Sequence, residues 1–282
     1  MTAMITVTLK EAIRKKTFIV MSILSGLYLV LWTVLLYYSK REIDSQGSEF
    51  TAFADLMLSQ MGLQFSSMLI SLLTIMLASG SISNEMESGM VHAIISRPIR
   101  RTSYVLGRFS GLMILSAAYA TVLFSAMLII GRIFSLQTVL SLGVGQTVLS
   151  WLLYTLVPVC LLCLTLFGST LMKTVPNGLL MIFIYILGNI GGMVEMIGGY
   201  MNNNSVVSSG IFISLISPFH TLYNEASRVL FPTSGIASDL MRGMGGLSGS
   251  GRAASTLMFV YIGVYAVGFL LLAARRFHKR DI

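Results

Sequence analysis

Charged residues fall in short clusters along this chain, and the stretches between the clusters are long and apolar. Thr17 to Tyr38 contains no charge, and neither do Gly62 to Ser83, Phe109 to Gly131, Val148 to Met172, Thr174 to Val194 or Ala253 to Ala274. A helix rises about 1.5 Å per residue, so about 20 residues carry it across a hydrocarbon layer about 30 Å thick. The pattern predicts six transmembrane helices at about 17–38, 62–83, 105–131, 148–172, 174–196 and 253–274 within one membrane domain over 1–282. Alternation of apolar and polar positions is too weak for a membrane barrel, which leaves helices as the structure that satisfies its own backbone in lipid. The expected fold is an all-α polytopic integral membrane protein.

The segments between the spans carry their own signals. Met4, Ile5, Leu9, Ala12 and Ile13 gather near one helical face, with Lys10, Arg14 and Lys15 elsewhere, as in an amphipathic helix lying along a membrane surface. Lys40 to Gln60 reads as a polar outer loop. Arg132 to Gln146 reads as a shorter one, broken by Gly143 and Gly145, and Met172 to Asn177 as a tight inner turn closed by Pro176. The long outer loop 197–252 contains Val206 to Ile216, too short to cross and therefore expected to dip in and return. Ser217 then offers an N-cap and Pro218 a first helical residue. Phe219, Leu222, Tyr223, Ala226, Val229 and Leu230 follow at helical spacing until Pro232. Thr233 to Gly251, rich in Gly and Ser, reads as a flexible connection to the last span.

Composition agrees with the pattern. With 55% hydrophobic and 11% charged residues, the chain has more apolar surface than a water-soluble core can hide. A net charge of +8 raises the question of a nucleic-acid partner. Placing both termini in the cytoplasm puts thirteen Lys and Arg residues inside against three in short outer loops, so membrane topology accounts for the charge and nucleic acid is not needed. A multi-pass protein of a prokaryotic cell membrane is expected, its first apolar run a retained anchor, since that run is long for a signal peptide and lacks a small-x-small exit.

The inner loop between the second and third spans is the most informative stretch. Asn84 with Glu87 fits a capping box, and Glu85 and Glu87 favour the positive end of a helix dipole. Pro98 stops the helix, and Met90, Val91, Ile94 and Ile95 leave an apolar stripe with no soluble domain of this chain to cover it. The plain reading is an inner loop whose arginines obey topology and whose apolar residues rest among headgroups. The functional reading is a short helix that a partner grips, so that moving it tilts two spans together.

Asn84-Glu85-Met86-Glu87-Ser88-Gly89, then Ser96-Arg97-Pro98-Ile99-Arg100-Arg101, then Tyr104-x-x-Gly107-Arg108 resemble the ABC-2 type permease family, whose pattern runs acidic pair, Gly-Thr, Pro-Ile, Gly-Lys. Glu11-x-x-Arg14-Lys15 and Ser217-Pro218 look like members that serve nitrous oxide reductase maturation. The sequence departs from the family at Met90, where Thr is frequent, and at Arg108, where Lys is usual. The resemblance implies the permease subunit of an exporter, paired as a homodimer or with a similar permease. Two copies of a separate ABC ATPase would hold the ATP and dock on 84–101. It implies coupling roles for Glu85, Glu87, Gly89, Met90, Ile94, Ile95, Arg97, Pro98 and Arg101. The residues supply a matching negative: a P-loop needs Gly-x4-Gly-Lys-Ser/Thr, and at Lys173-Thr174 both glycine positions are filled, by Phe167 and Met172. No cofactor or metal is expected on this chain, and no catalytic residue.

Other residues allow other chemistry. Glu195, near the outer end of the fifth span, is a candidate intramembrane proton or cation site, and the alternative it offers is a secondary transporter or channel. Gly191, Gly192, Gly198 and Gly199 around it instead read as a helix end that reaches water. Cys160 and Cys163 share a helix face, but with no further ligands in reach they read as small hydrophobes. Gly246-Leu247-Ser248-Gly249 has the look of an intramembrane serine protease, yet His92 and His278 fall on the opposite side by topology.

Overall fold

The computed structural model describes residues 2–43, 48–84, 101–134, 136–140, 142–201, 203–231 and 255–279. Among them the helices are, in order, α1 (Thr2–Arg14), α2 (Lys16–Ile43), α3 (Ser48–Ser79), α4 (Arg101–Ile133), α5 (Gln137–Leu140), α6 (Val144–Leu171), α7 (Thr174–Tyr200), α8 (Asn204–Ile216), α9 (Phe219–Leu230) and α10 (Thr256–Lys279). Six stretches are long and apolar enough to cross a membrane: Lys16–Arg41, Ala54–Ser79, Ser103–Ile133, Val144–Leu171, Thr174–Gly199 and Thr256–Phe277. The fold is that of an all-α polytopic membrane protein.

The spans on α3 and α6 begin earlier than hydropathy alone implies, at Ala54 and Val144. Much of the supposed outer loop 40–60 belongs to helices, because its polar groups turn inward. Asp55 is fully buried and takes Lys40 Nζ at 3.2 Å, while Ser59 Oγ donates to the Asp55 carbonyl at 2.7 Å and shares a hydrogen bond with Thr138. Gly145 does not break a helix but sits in the first turn of α6, with Gly143 as its N-cap. Pro176 lies in the first turn of α7, where its missing N–H has no helical partner to lose, so the turn between α6 and α7 shrinks to Met172 and Lys173.

α3 and α6 form the centre of the bundle, with 61% and 56% of their most apolar windows buried, against 22% for α2 and 11% for α10. Two apolar clusters stack along the bundle. Ala12, Met21, Leu77, Ile82, Tyr104, Leu166 and Phe277 form one at the end that carries α1, and Trp32, Leu63, Phe124, Tyr154, Phe219 and Leu230 belong to the other.

α8 and α9 make the re-entrant feature, meeting at a bend of 104°. α8 runs back along α7 until Ser217 lies against Gly188, near the middle of that helix. The last carbonyls of α8 are met by side chains of α10: Tyr261 and Tyr265 donate to Leu215 O at 2.7 Å and Ile216 O at 3.0 Å. Ser217 is the C-cap of α8 and Pro218 the N-cap of α9, one residue later than the Ser-Pro spacing predicts. The apolar stripe of α9 does not face the surface. It is buried against α6, where Ser150 Oγ donates to Ala226 O at 2.8 Å.

Close approach of α7 and α8 depends on glycine. A Cβ at Gly210 would stand 2.5 Å from Glu195 N and 2.8 Å from its Cα, backbone atoms that cannot step aside. Gly210→Val is expected to push α8 off α7 and destabilise the protein by about 1–3 kcal/mol. Thermal melts in detergent measure this, with Gly199→Ala, which meets nothing within 4 Å, expected to melt close to the unaltered chain.

Candidate functional site

Glu85, Glu87, Gly89, Met90, Ile94, Ile95, Arg97 and Pro98 lie outside the described residues, as does the side chain of Arg101. The structure does describe both points at which this segment leaves the bundle. α3 ends at Ser79, and the chain turns through Gly80 and Ser81 to Asn84. On the other side α4 begins at Arg101. Ile82, Tyr104 and Val105 belong to the same apolar cluster, so the two exits share one piece of core.

The first exit is held by side chains from the α6–α7 hairpin. Ser169 Oγ accepts the amides of Ile82 and Ser83, each at 3.2 Å. Asn177 Nδ2 donates to Ser79 O at 3.0 Å and to Thr165 O at 3.1 Å. Thr174 shares a hydrogen bond with Ser83 Oγ at 3.0 Å and donates to Asn84 Oδ1. Gly80 lets this happen, since a Cβ there would come within 2.8 Å of the Thr174 methyl. A chain leaving the membrane exposes helix-terminal carbonyls and new amides, and here a neighbouring hairpin satisfies several of them.

The second tie comes from α4 and α1. Arg108 is 2% exposed, and its Nε donates to Ser81 O at 3.1 Å. Both terminal nitrogens of Arg108 donate to the two oxygens of Glu11, a forked pair with Nη2 to Oε1 at 3.1 Å. Lys15 adds a contact to Glu11 Oε1 at 3.2 Å. α1 can lie this close because Gly107 and Gly111 face it: a Cβ on either would meet Met4 or Thr8 within 3 Å. Arg108 therefore joins α1, α4 and the end of α3 through one guanidinium. Burial acts to raise the Glu11 pKa, but the hydrogen bonds and charges of Arg108 and Lys15 outweigh it and hold the carboxyl below its usual value.

Sequence reasoning placed Glu11 and Arg108 in motifs but did not pair them. The available signal was a cation set inside an apolar run beside Gly107 and Gly111, a pattern of close helix contact. The amphipathic helix expected at Met4 to Lys16 exists, with one correction. Ile13 is 48% exposed and belongs to the outward face, because Thr8 and Glu11 occupy the inner one.

Glu195 lies far from this anchor. It is half-buried on α7, its backbone against Gly210, and α7 continues past it to Tyr200 without a break at Gly191 or Gly192. Cys160 and Cys163 are both buried in α6, and no group of three or more His, Cys, Asp and Glu comes together among the described residues. His92 and Gly246 to Gly249 are outside the described residues.

Six crossing helices, a re-entrant pair and an anchored loop between the second and third spans define a polytopic α-helical membrane domain. The sequence profile of the ABC-2 family transporter proteins matches residues 5–282, and the chain belongs to that family. It is a permease component of an ABC transporter. No curated protein matches it.

Glu11 gives the anchor a pH signature. Its folded pKa lies below the unfolded value, so its contribution is full above pH about 4.5 and is lost as pH falls through the lowered folded value. Melting curves against pH should show the Glu11→Gln variant less stable than the unaltered protein at neutral pH. The gap should narrow as the pH falls below about 4.5, because protonation then removes the same charge.

Proposed function

We propose that this chain is the transmembrane subunit of an ABC exporter, and that a separate ATPase docks on residues 84–101 and drives it through the anchor of Ser81 to Asn84. The orientation proposed puts α1, both chain ends and this loop in the cytoplasm of a prokaryotic cell. Two permease chains, as a homodimer, would sit on two ATPase subunits that carry the ATP, and this chain would hydrolyse none.

The observation that supports this reading most is that the loop exit is tied to four other elements. A force applied to a loop on a single flexible span would be absorbed locally. Ser169, Thr174 and Asn177 tie this exit to α6 and α7, and Arg108 ties it to α4 and α1, so displacement at Asn84 must move α3, α4 and the hairpin together. The family implies association with an ABC ATPase subunit, and the loop is the segment that such a subunit can move with the least loss.

Two substitutions separate docking from transmission. With the ATPase subunit co-expressed, Ile94→Asp with Ile95→Asp should abolish co-purification of the complex, because the apolar stripe is the contact. Asn177→Ala should leave the complex assembled but lower substrate-stimulated ATP hydrolysis several-fold, because it frees Ser79 O and Thr165 O from the hairpin. Unchanged assembly and stimulation in both variants would overturn the reading. Labelling a cysteine at position 87 in intact cells tests the orientation, with no reaction expected from an impermeant reagent outside.

A further inference from the structure

The outward face of α1 carries chemistry that the coupling role does not use. Measured by 100° steps around the helix, Met4, Ile5, Thr8, Glu11 and Ala12 face the protein, Lys10, Ile13 and Arg14 stand on the far side, and Val7 lies at its edge. Lys10 and Arg14 are one turn apart and exposed, and Lys16 follows at the base of α2. None of these three makes an ion pair among the described residues. Glu11, the carboxylate of α1, is taken by Arg108 and Lys15. Exposed apolar residues flank the cations, Val7 at 57% beside Arg14 and Ile13 at 48% beside Lys10.

We propose that this face binds the phosphate headgroups of anionic phospholipids. Three further features support a lipid over the water that a topology-setting tail would meet, or over an acidic protein surface. First, exposed apolar side chains flank the cations on both sides, which matches a boundary where acyl chain and phosphate lie side by side. Second, the neighbouring surface of α2 continues it with Ile19 at 52% and Val20 at 59% exposed, an apolar wall for the same lipid's chains. Third, the helix is fixed in place from behind by Met4 and Thr8 seated on Gly107 and Gly111 and by the Glu11–Arg108 fork, so the cations are presented without a further ordering cost. Because Arg108 also holds Ser81 O, a lipid bound to α1 presses on the same junction from which the coupling loop emerges.

The test uses the full-length permease, purified with its ATPase subunit where that subunit stays bound. The protein is placed in bilayers of phosphatidylcholine with and without phosphatidylglycerol, and retained lipid is counted by native mass spectrometry. The unaltered chain should retain phosphatidylglycerol in preference to phosphatidylcholine. Lys10→Gln, Arg14→Gln and Lys16→Gln together should lose that preference, by roughly fivefold for each cation removed. Arg132→Gln at the opposite end should keep it, and melting temperature should hold in all variants, since none of these residues touches the Glu11–Arg108 fork. Equal retention by the triple variant would overturn the proposal, as would an equal loss in Arg132→Gln, which would show attraction by net charge alone. Loss of the ATPase subunit with lipid retention unchanged would assign the face to a protein instead. The lipid count needs no transport activity, so its result is independent of the exporter reading.

Discussion

Arg108 is a cation that the fold has taken out of water, and much of this end of the protein is arranged to make that tolerable. A buried guanidinium with a missing partner costs several kcal/mol, on the order of 3–5 when a buried pair is broken. The protein answers with a carboxylate from α1 and a carbonyl from the turn after α3, which occupy the donors of a planar fork with no rotamer left to search. The consequence is mechanical as well as electrostatic. Three elements that are separate in sequence must keep their relative positions for the charge to remain satisfied.

The opposite tie, from the α6–α7 hairpin, uses neutral groups for the same end. Ser169, Thr174 and Asn177 are ordinary residues for a tight turn, but each is aimed at a backbone or hydroxyl group at the end of α3. In a bilayer an unmade hydrogen bond has no water to fall back on, so such contacts constrain geometry more firmly than on an aqueous surface. The re-entrant pair obeys the same rule. Tyr261 and Tyr265 bring hydroxyls from α10 to the carbonyls that end α8, and α8 stays in contact with α7 through positions where a side chain would not fit.

This arrangement explains why an apolar protein carries so many buried polar side chains. Serine and threonine hydroxyls along α3 donate back to their own helix, at Ser71 and Thr74, which satisfies these polar side chains within the most buried span. The lipid-facing helices α2 and α10 have the opposite character, broad exposed apolar faces and little burial. The buried polar contacts therefore lie in the centre of the bundle and the exposed apolar surface at its edge.

The sequence alone determined the class of the protein. Runs of uncharged residues long enough to cross a bilayer admit one kind of backbone, and the number of spans, the dipping segment at Val206 to Ile216 and the family followed from spacing and from the motifs around Asn84 and Arg108. Element ends were less legible: Asp55, Ser59 and Gln60 look like loop residues until Lys40, Thr138 and Tyr223 are seen to partner or cover them. Only the tertiary structure decided that Glu11 and Arg108 form one pair across 97 positions and that Thr174 and Asn177 hold the end of α3. Periodicity reports which face of a helix avoids water. It carries no information about which polar group on another helix that face will meet, because that depends on how the spans pack, and in lipid the packing is set by close contact and hydrogen bonds rather than by hydrophobicity.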